Sequence, residues 1–312
     1  MNNSFFKKLS ACFCNKKLSL WAVVAIALVV AMTSGKSHAD NWQGIEVEVK
    51  GSGPAMIFIP GLNSGSQTFT DICDAIKSDY SCHLMHLPGF AGQAPDAKAQ
   101  AAFLPSMRDS IKAYIADRKL EQPVLVGHSL GGVLSLMLAI DTPELAKALI
   151  IVDALPFYPA LQNPQLTVAD MKPQADMLKQ QMLSLSDDVY QQNAAMALNG
   201  MSNREDRQPL LLTWSKTSDK STTAQAMYDM MTTDLRSQLS SIKTPTLVLG
   251  AWAAYAGYGS TLEFTRGIYT TQYAQLSGVD IRMAQEAYHF ITWDEPQWTV
   301  DNMRDFLRAT AR

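Results

Sequence analysis

A serine flanked by glycines lies in the segment Val124–Gly132, which has the sequence VLVGHSLGG. Strand-forming residues precede it and the apolar run Val133–Ile140 follows, so Ser129 is predicted at a sharp turn from a strand into a helix. At that place the free N–H groups and the dipole of the helix favour developing negative charge. The pattern predicts a nucleophilic serine, and an ordinary structural turn is the alternative.

One histidine is a candidate for the base that such a serine needs. A serine hydroxyl is a weak nucleophile until a base removes its proton. His289 lies in a predicted loop between the last strand and the last helix, and we expect it to be this base. His83 and His86 lie on or beside an early strand and are predicted to be structural. His128 is next to Ser129, and its side chain is predicted to point away from the site.

Two backbone N–H groups are candidates for an oxyanion hole, the pair of donors that stabilises the negatively charged oxygen of an acyl-transfer intermediate. One belongs to Leu130, which directly follows the serine. The other belongs to Leu62, which follows the Pro60-Gly61 turn at the end of an apolar strand. For this second position an ordinary strand-ending turn is the alternative.

Alternating strands and helices must position these residues. This alternation predicts an α/β fold with a mostly parallel central sheet that helices cover on both faces. Apolar runs and Pro-Gly breaks predict strands over residues 45–50, 55–61, 82–87, 123–127, 148–153, 245–250 and 279–283. Helical spacing of apolar residues predicts helices over residues 105–120, 133–140, 261–276 and 296–308.

The segment 155–240 interrupts the alternation. It is polar and helix-prone, contains eight methionines and has no pattern of a buried strand. We predict that it is a helical cap, or lid, inserted into a core of residues 40–154 and 241–312. Its methionines are expected to pack inside the insertion, or to form an adaptable apolar roof over a substrate.

Five motifs together resemble the α/β-hydrolase superfamily. They are PGLN after the second strand, LPGFAG, GHSLGG, PTLVLG after the insertion and a late HF before the closing helix. The similarity spans about residues 45–154 and 241–312. It implies the α/β-hydrolase fold with a helical insertion, a serine–acid–histidine triad in that chain order, and hydrolysis through an acyl-enzyme without a cofactor or a metal.

The acid of the implied triad departs from the family pattern. Family members usually carry it a few residues after PTLVLG, but the loop here reads AWAAYAGYGS and the next carboxylate is that of Glu263. Asp153 ends the strand after the nucleophile helix, a position that some family members use, and it is our candidate. Glu263 is a weaker alternative, and a dyad or another polar group remains open. Asp294 and Glu295 are predicted to begin the closing helix.

The first 39 residues have the features of a secretory signal peptide. Four lysines precede the apolar run Leu18–Met32, and Ser37-His38-Ala39 resembles a signal-peptidase site. We expect cleavage after Ala39 and a periplasmic or secreted protein without a stable membrane anchor. An uncleaved anchor is the alternative, although the run is shorter than the roughly 20 residues that a spanning helix needs.

The two cysteines that follow the predicted leader are Cys73 and Cys82. An oxidising compartment and a lone, closely spaced pair favour a structural disulfide between them. Two unrelated buried thiols are the alternative.

The charge of the mature chain limits its partners. Without the five lysines of the leader, 21 lysines and arginines face 29 acidic residues, a net charge of −8. This charge, without a basic cluster, argues against nucleic acid and anionic membranes as partners. The predicted partner is a small-molecule substrate with an apolar acyl or alcohol part.

Three functions fit these residues. The first is an exported serine hydrolase that cleaves a carboxylic ester, or a lactone, thioester or amide. The second is a carbon–carbon bond hydrolase or a cofactor-free peroxidase on the same fold. The third is a ligand-binding module with a vestigial triad.

Overall fold

A single sheet of eight strands forms the centre of the part of the chain that the computed structural model describes, residues 38–161 and 163–310. The strand order is β1-β2-β4-β3-β5-β6-β7-β8. Pairing is antiparallel between β1 and β2 and between β2 and β4, and it is parallel from β4 to β8. The strands are β1 (His38–Trp42), β2 (Ile45–Gly51), β3 (Ala55–Ile59), β4 (Ser81–His86), β5 (Val124–His128), β6 (Ala148–Val152), β7 (Thr246–Gly250) and β8 (Asp280–Met283).

Helices connect the strands. They are α1 (Thr70–Ile76), α2 (Ala97–Ala101), α3 (Phe103–Asp117), α4 (Leu130–Asp141), α5 (Val168–Ser184), α6 (Asp187–Met196), α7 (Gln208–Thr217), α8 (Lys220–Thr232), α9 (Leu262–Gln272), α10 (Ile291–Asp294) and α11 (Pro296–Thr310). The predicted α/β class and mostly parallel sheet are confirmed, and the predicted elements are displaced by a few residues at most. Strand β1 and the short helices α2 and α10 were not predicted, and α4 begins at Leu130 instead of residue 133.

The central strands are apolar along their whole length because helices cover both faces of the sheet. Successive strand side chains point to opposite faces, so each strand contributes to two cores. On β3, Ile57 and Ile59 enter one core, with α3 and α4, while Met56 and Phe58 enter the other, with α1 and α11. This double burial explains the unbroken apolar runs in the sequence.

Helices α5 to α8 lie between β6 and β7, inside the segment 155–240 that was predicted to be a helical cap. Thr167 and Asp170 form a reciprocal capping box at the start of α5. Met171 and Ala175 of α5 pack with Met231 of α8 in a small separate core. The division into core and cap stays a prediction.

The predicted disulfide is not formed in the structure. Cys73 on α1 and Cys82 on β4 are free, buried thiols. Cys82 Sγ lies 3.8 Å from the carbonyl oxygen of Cys73, to which it donates a weak hydrogen bond. A side-chain hydrogen bond with Cys73, and then burial, raise the pKa of the Cys82 thiol.

The predicted signal peptide lies outside the described residues, except for the last two residues before its cleavage site. His38 and Ala39 belong to β1, which pairs with β2. Among the described residues, no helix has both the length and the apolar character needed to cross a membrane.

Candidate active site

The turn between β5 and α4 holds Ser129 in a strained conformation. Its φ of 53° and ψ of −120° lie where side chains other than glycine are rarely found. The flanking glycines are required by close approach of the backbone. A Cβ on Gly127 would lie 2.1 Å from the carbonyl oxygen of Gly131, and a Cβ on Gly131 would lie 2.0 Å from that of Ile59. The sequence GHSLG therefore allows a turn that directs Ser129 away from the sheet.

Asp153 and His289 are in direct contact although 136 residues separate them. His289 Nδ1 lies 2.6 Å from Asp153 Oδ2. A carboxylate only accepts hydrogen bonds, so Nδ1 carries the proton and donates it. Nε2 of His289 is thereby left as the basic nitrogen. Asp153 follows β6 and has a φ of 46°, a conformation that aspartate tolerates better than most residues.

Two further donors hold the other oxygen of the Asp153 carboxylate. The backbone N–H of Ala251 lies 2.8 Å from Oδ1, and the hydroxyl of Tyr269 lies 2.5 Å from it. Burial and the nearby Asp153 charge raise the pKa of Tyr269 well above its ordinary value, so this hydroxyl keeps its proton and donates. No sequence pattern singles out Tyr269 beyond its place in a predicted helix. Glu263, the alternative acid, is exposed in the first turn of α9 and is not the residue that contacts His289.

His128 contributes to the site, although its side chain was predicted to point away. Its Nε2 lies 3.0 Å from the carbonyl oxygen of His289, and the two imidazole rings lie 4.5 Å apart. Burial, and then the neighbouring His289, lower the pKa of His128 well below its ordinary value. His128 is therefore neutral, and its single N–H connects the turn of Ser129 to the loop of His289.

Asp294 and Glu295 hold the His289 loop, although they were predicted to begin the closing helix. Asp294 ends the short helix α10, and its carboxylate accepts the backbone N–H of Tyr288 at 2.7 Å. Glu295 precedes α11 and accepts the N–H groups of Glu286 and Ala287, both at 2.8 Å. These carboxylates fix the backbone on the N-terminal side of His289.

The two predicted oxyanion donors belong to the residue after Ser129 and to a residue that lines the same cavity. Leu130 is the first residue of α4, where backbone N–H groups have no acceptor in the helix. Leu62 lines the same cavity as Ser129, and no acceptor among the described residues takes its N–H. The next residue, Asn63, has a φ of 55° and contacts the Thr223 hydroxyl of α8 at 2.7 Å. The insertion thus contacts the loop that carries Leu62.

A cavity of about 820 Å³ connects these groups. Ser129, His289, Asp153 and Leu62 all line it, and its remaining wall comes largely from the insertion. Six of the eight insertion methionines divide between the two predicted roles. Met182, Met201, Met227 and Met230 line the cavity, while Met171 and Met231 pack inside the insertion. Met177 and Met196 are exposed. Within residues 38–161 and 163–310, no group of three or more His, Cys, Asp or Glu side chains could hold a metal ion.

A comparison with protein families agrees with this geometry. A family model described as the alpha/beta hydrolase fold matches residues 54–251, more than half of the chain. The chain belongs to the α/β-hydrolase family. The resemblance inferred from the five motifs is thereby confirmed.

The relatives of this α/β hydrolase include two proteins named pimeloyl-[acyl-carrier protein] methyl ester esterase. The one from Aeromonas hydrophila is 34% identical over 116 residues, which cover 37% of this chain and 44% of that protein. The one from Shewanella oneidensis is 27% identical over 208 residues, which cover 65% of this chain and 74% of that protein. The alignment with the Aeromonas protein thus spans less than half of its length.

A solved structure of similar fold is that of a hydrolase from Pseudomonas aeruginosa PA01. It superposes with a TM-score of 0.70 over 88% of this chain and 99% of that chain, at 14% sequence identity. This likeness shows the shared fold.

Proposed function

We propose that this α/β hydrolase is an exported serine hydrolase that cleaves a carboxylic ester through an acyl-enzyme on Ser129. The observation that carries the proposal is the 2.6 Å hydrogen bond from His289 Nδ1 to Asp153. It leaves Nε2 of His289 as a base beside the cavity that Ser129 also lines. The names of the two relatives, both methyl ester esterases, support an ester as the substrate.

In the proposed reaction Ser129 Oγ attacks the carbonyl carbon of the ester while its proton passes to His289 Nε2. The N–H groups of Leu62 and Leu130 stabilise the negatively charged carbonyl oxygen. Asp153 stabilises the imidazolium that forms. Collapse of the intermediate breaks the bond to the alcohol, which takes the proton from His289. A water molecule then releases the acid by the same steps, and no cofactor takes part.

The substrate is proposed to be a small molecule with an apolar acyl or alcohol part. Leucine and methionine side chains such as Leu178, Met182 and Met230 line the cavity next to Ser129. A lactone, a thioester or an amide would react by the same steps, because each presents a carbonyl carbon with a leaving group.

Labelling with a fluorophosphonate probe tests the nucleophile. We expect one adduct, on Ser129, and no adduct in Ser129→Ala. Ser184→Ala is a matched control, because Ser184 lies at the end of α5 and is exposed. Absence of labelling in the wild type would favour a ligand-binding module. Labelling without release of acid and alcohol from any ester would favour carbon–carbon bond hydrolysis or peroxidation.

Export is part of the proposal and has its own test. The chain is expected to lose residues 1–39, so the mature protein begins at Asp40 in the periplasm or outside the cell. Intact-mass analysis of the protein from a periplasmic fraction of a bacterial host measures this start. A protein that begins at Met1 and stays with the membrane fraction would contradict it.

A further inference from the structure

The walls of the cavity carry almost no charge. Among the described residues that line it there is no lysine, arginine or glutamate, and Asp153 is the one aspartate. The Asp153 carboxylate is already occupied by Ala251, Tyr269 and His289. A substrate anion inside the cavity would therefore lose water without meeting a positive charge, which is strongly unfavourable.

Uncharged polar side chains also line the cavity, and they supply no positive charge for an anionic substrate. Asn63 and Thr223 contact each other at 2.7 Å, beside Leu62. Gln181 and Asn193 line the cavity but are exposed, so they lie towards solvent.

Apolar side chains form the wall that the insertion contributes. Leu178 and Met182 lie one helical turn apart on α5, Leu185 directly follows that helix, and Met227 and Met230 lie one turn apart on α8. Ile268 of α9 lines the same cavity. A volume of about 820 Å³ is far more than the catalytic groups and a short acyl group need, and it is in the range of cavities that enclose whole small ligands.

We infer that the substrates are esters that carry an uncharged hydrocarbon chain, and that esters with an anionic chain are excluded. This inference rests on the proposed function. The hydrocarbon chain of the substrate lies against α5 and α8, and its buried length contributes to transition-state binding. Each methylene group that enters the cavity is expected to raise kcat/KM about fourfold, which corresponds to about 0.8 kcal/mol.

Two sets of esters test this substrate class. The first is the series of methyl esters from acetate to octanoate, for which we expect kcat/KM to rise about fourfold per methylene until the cavity is filled. The second is a pair of equal length, methyl hexanoate and monomethyl adipate, which differ by a terminal carboxylate. We expect monomethyl adipate to react at least about a hundredfold more slowly. Hexyl acetate, compared with methyl hexanoate, shows whether the chain enters on the acyl or the alcohol side.

A charge introduced into the wall gives a second test. Met182→Lys places a cation on the cavity side of α5, whereas Met177→Lys changes the same residue type on the same helix where it is 64% exposed. Met182→Lys is expected to raise kcat/KM for monomethyl adipate relative to methyl hexanoate at least tenfold. Met177→Lys is expected to leave this ratio within twofold of the wild-type value.

The outcomes separate the two proposals. In one outcome the fluorophosphonate labels Ser129, but ester turnover does not depend on the length of the hydrocarbon chain or on its terminal charge. This result would overturn the substrate class and leave the proposed function intact. If Met182→Lys folds but leaves the ratio of kcat/KM for monomethyl adipate and methyl hexanoate unchanged, the substrate class is also overturned. Absence of both labelling and turnover would overturn the proposed function, and the substrate class with it.

Discussion

Tyr269→Phe removes one hydroxyl group that does not touch the reacting atoms under the proposed mechanism. The hydroxyl donates to Asp153 Oδ1 at 2.5 Å, and the other carboxylate oxygen accepts from His289 at 2.6 Å. Tyr269 is buried and Phe has the same ring, so packing is retained. Without the hydroxyl, one of the two donors that hold Oδ1 is lost, and the carboxylate can rotate away from the imidazole.

The expected size of the effect follows from the kind of hydrogen bond that is lost. A hydrogen bond to a charged group contributes about 1.5–3 kcal/mol, and a buried one is not screened by solvent. If this energy appears in the transition state, kcat falls about 10- to 100-fold at 1.4 kcal/mol per factor of ten. The loss of kcat is expected to be smaller than the loss caused by removing the Asp153 carboxylate, because the N–H of Ala251 still holds Oδ1. KM is expected to change by less than about threefold, since the hydroxyl is engaged by the Asp153 carboxylate.

Steady-state kinetics with a methyl ester measure kcat and KM for Tyr269→Phe and for a matched control, Tyr273→Phe. The Tyr273 hydroxyl is also buried but donates to the carbonyl oxygen of Ala154 at 2.9 Å, so this control loses a buried hydrogen bond without changing the Asp153 carboxylate. Urea denaturation of both variants shows whether they lose similar stability. A kcat of Tyr269→Phe within twofold of the wild type, or equal losses in both variants, would refute the reasoning.

Three further predictions concern the other residues of the site and the core. Ser129→Ala is expected to abolish ester hydrolysis while the thermal unfolding temperature stays within a few degrees of the wild type; activity within about tenfold of the wild type would contradict the assignment. Asp153→Asn is expected to lower kcat about 10³–10⁴-fold, by analogy with the loss measured for the same substitution in a serine protease triad. Glu263→Gln is the control, for which we expect a mild effect on kcat. A larger loss of kcat at Glu263 than at Asp153 would reverse the assignment. Burial lowers the pKa of His83 to about 4 from 6.5, so the unfolded chain binds a proton near pH 6.5 while the native state does not until about pH 4. His83 should therefore lower the free energy of unfolding by roughly 3 kcal/mol as the pH drops from about 6.5 to about 4. His83→Gln should lose less stability between pH 7 and pH 4.5 in urea denaturation, and parallel pH dependence in both proteins would contradict this origin.

Local patterns in the sequence were sufficient to predict the fold class and the order of the elements. Apolar runs such as residues 148–152 form buried strands because both faces of the sheet are covered. The motif around Ser129 predicted its turn because a close backbone contact requires Gly127 and Gly131. Asp153 was a candidate because it ends the strand after the nucleophile helix, a position that some α/β hydrolases use for the triad acid.

Several of the groups that orient these residues could not be predicted, because they act across a long separation in the chain. Tyr269 reaches Asp153 over 116 residues, and Thr223 reaches Asn63 over 160. His128 and Asp294 are polar residues near the motifs, but the atoms of the His289 loop that they bind are backbone atoms, which leave no pattern in the sequence. The state of Cys73 and Cys82 likewise depends on the positions of two thiols in a folded core.

Local patterns indicated candidate residues for chemistry, because a sharp turn between a strand and a helix, a histidine in a late loop and an acid at the end of a strand can each be recognised from neighbouring residues. How these candidates meet depends on the packing of distant segments. The hydrogen bonds on Oδ1 of Asp153 depend on the positions of α9 and of the residue that follows β7, and the uncharged wall of the cavity depends on which faces of α5 and α8 turn towards Ser129. Both features follow from packing between distant segments. The free energy of that packing depends on all the segments in contact and not on the local order of residues.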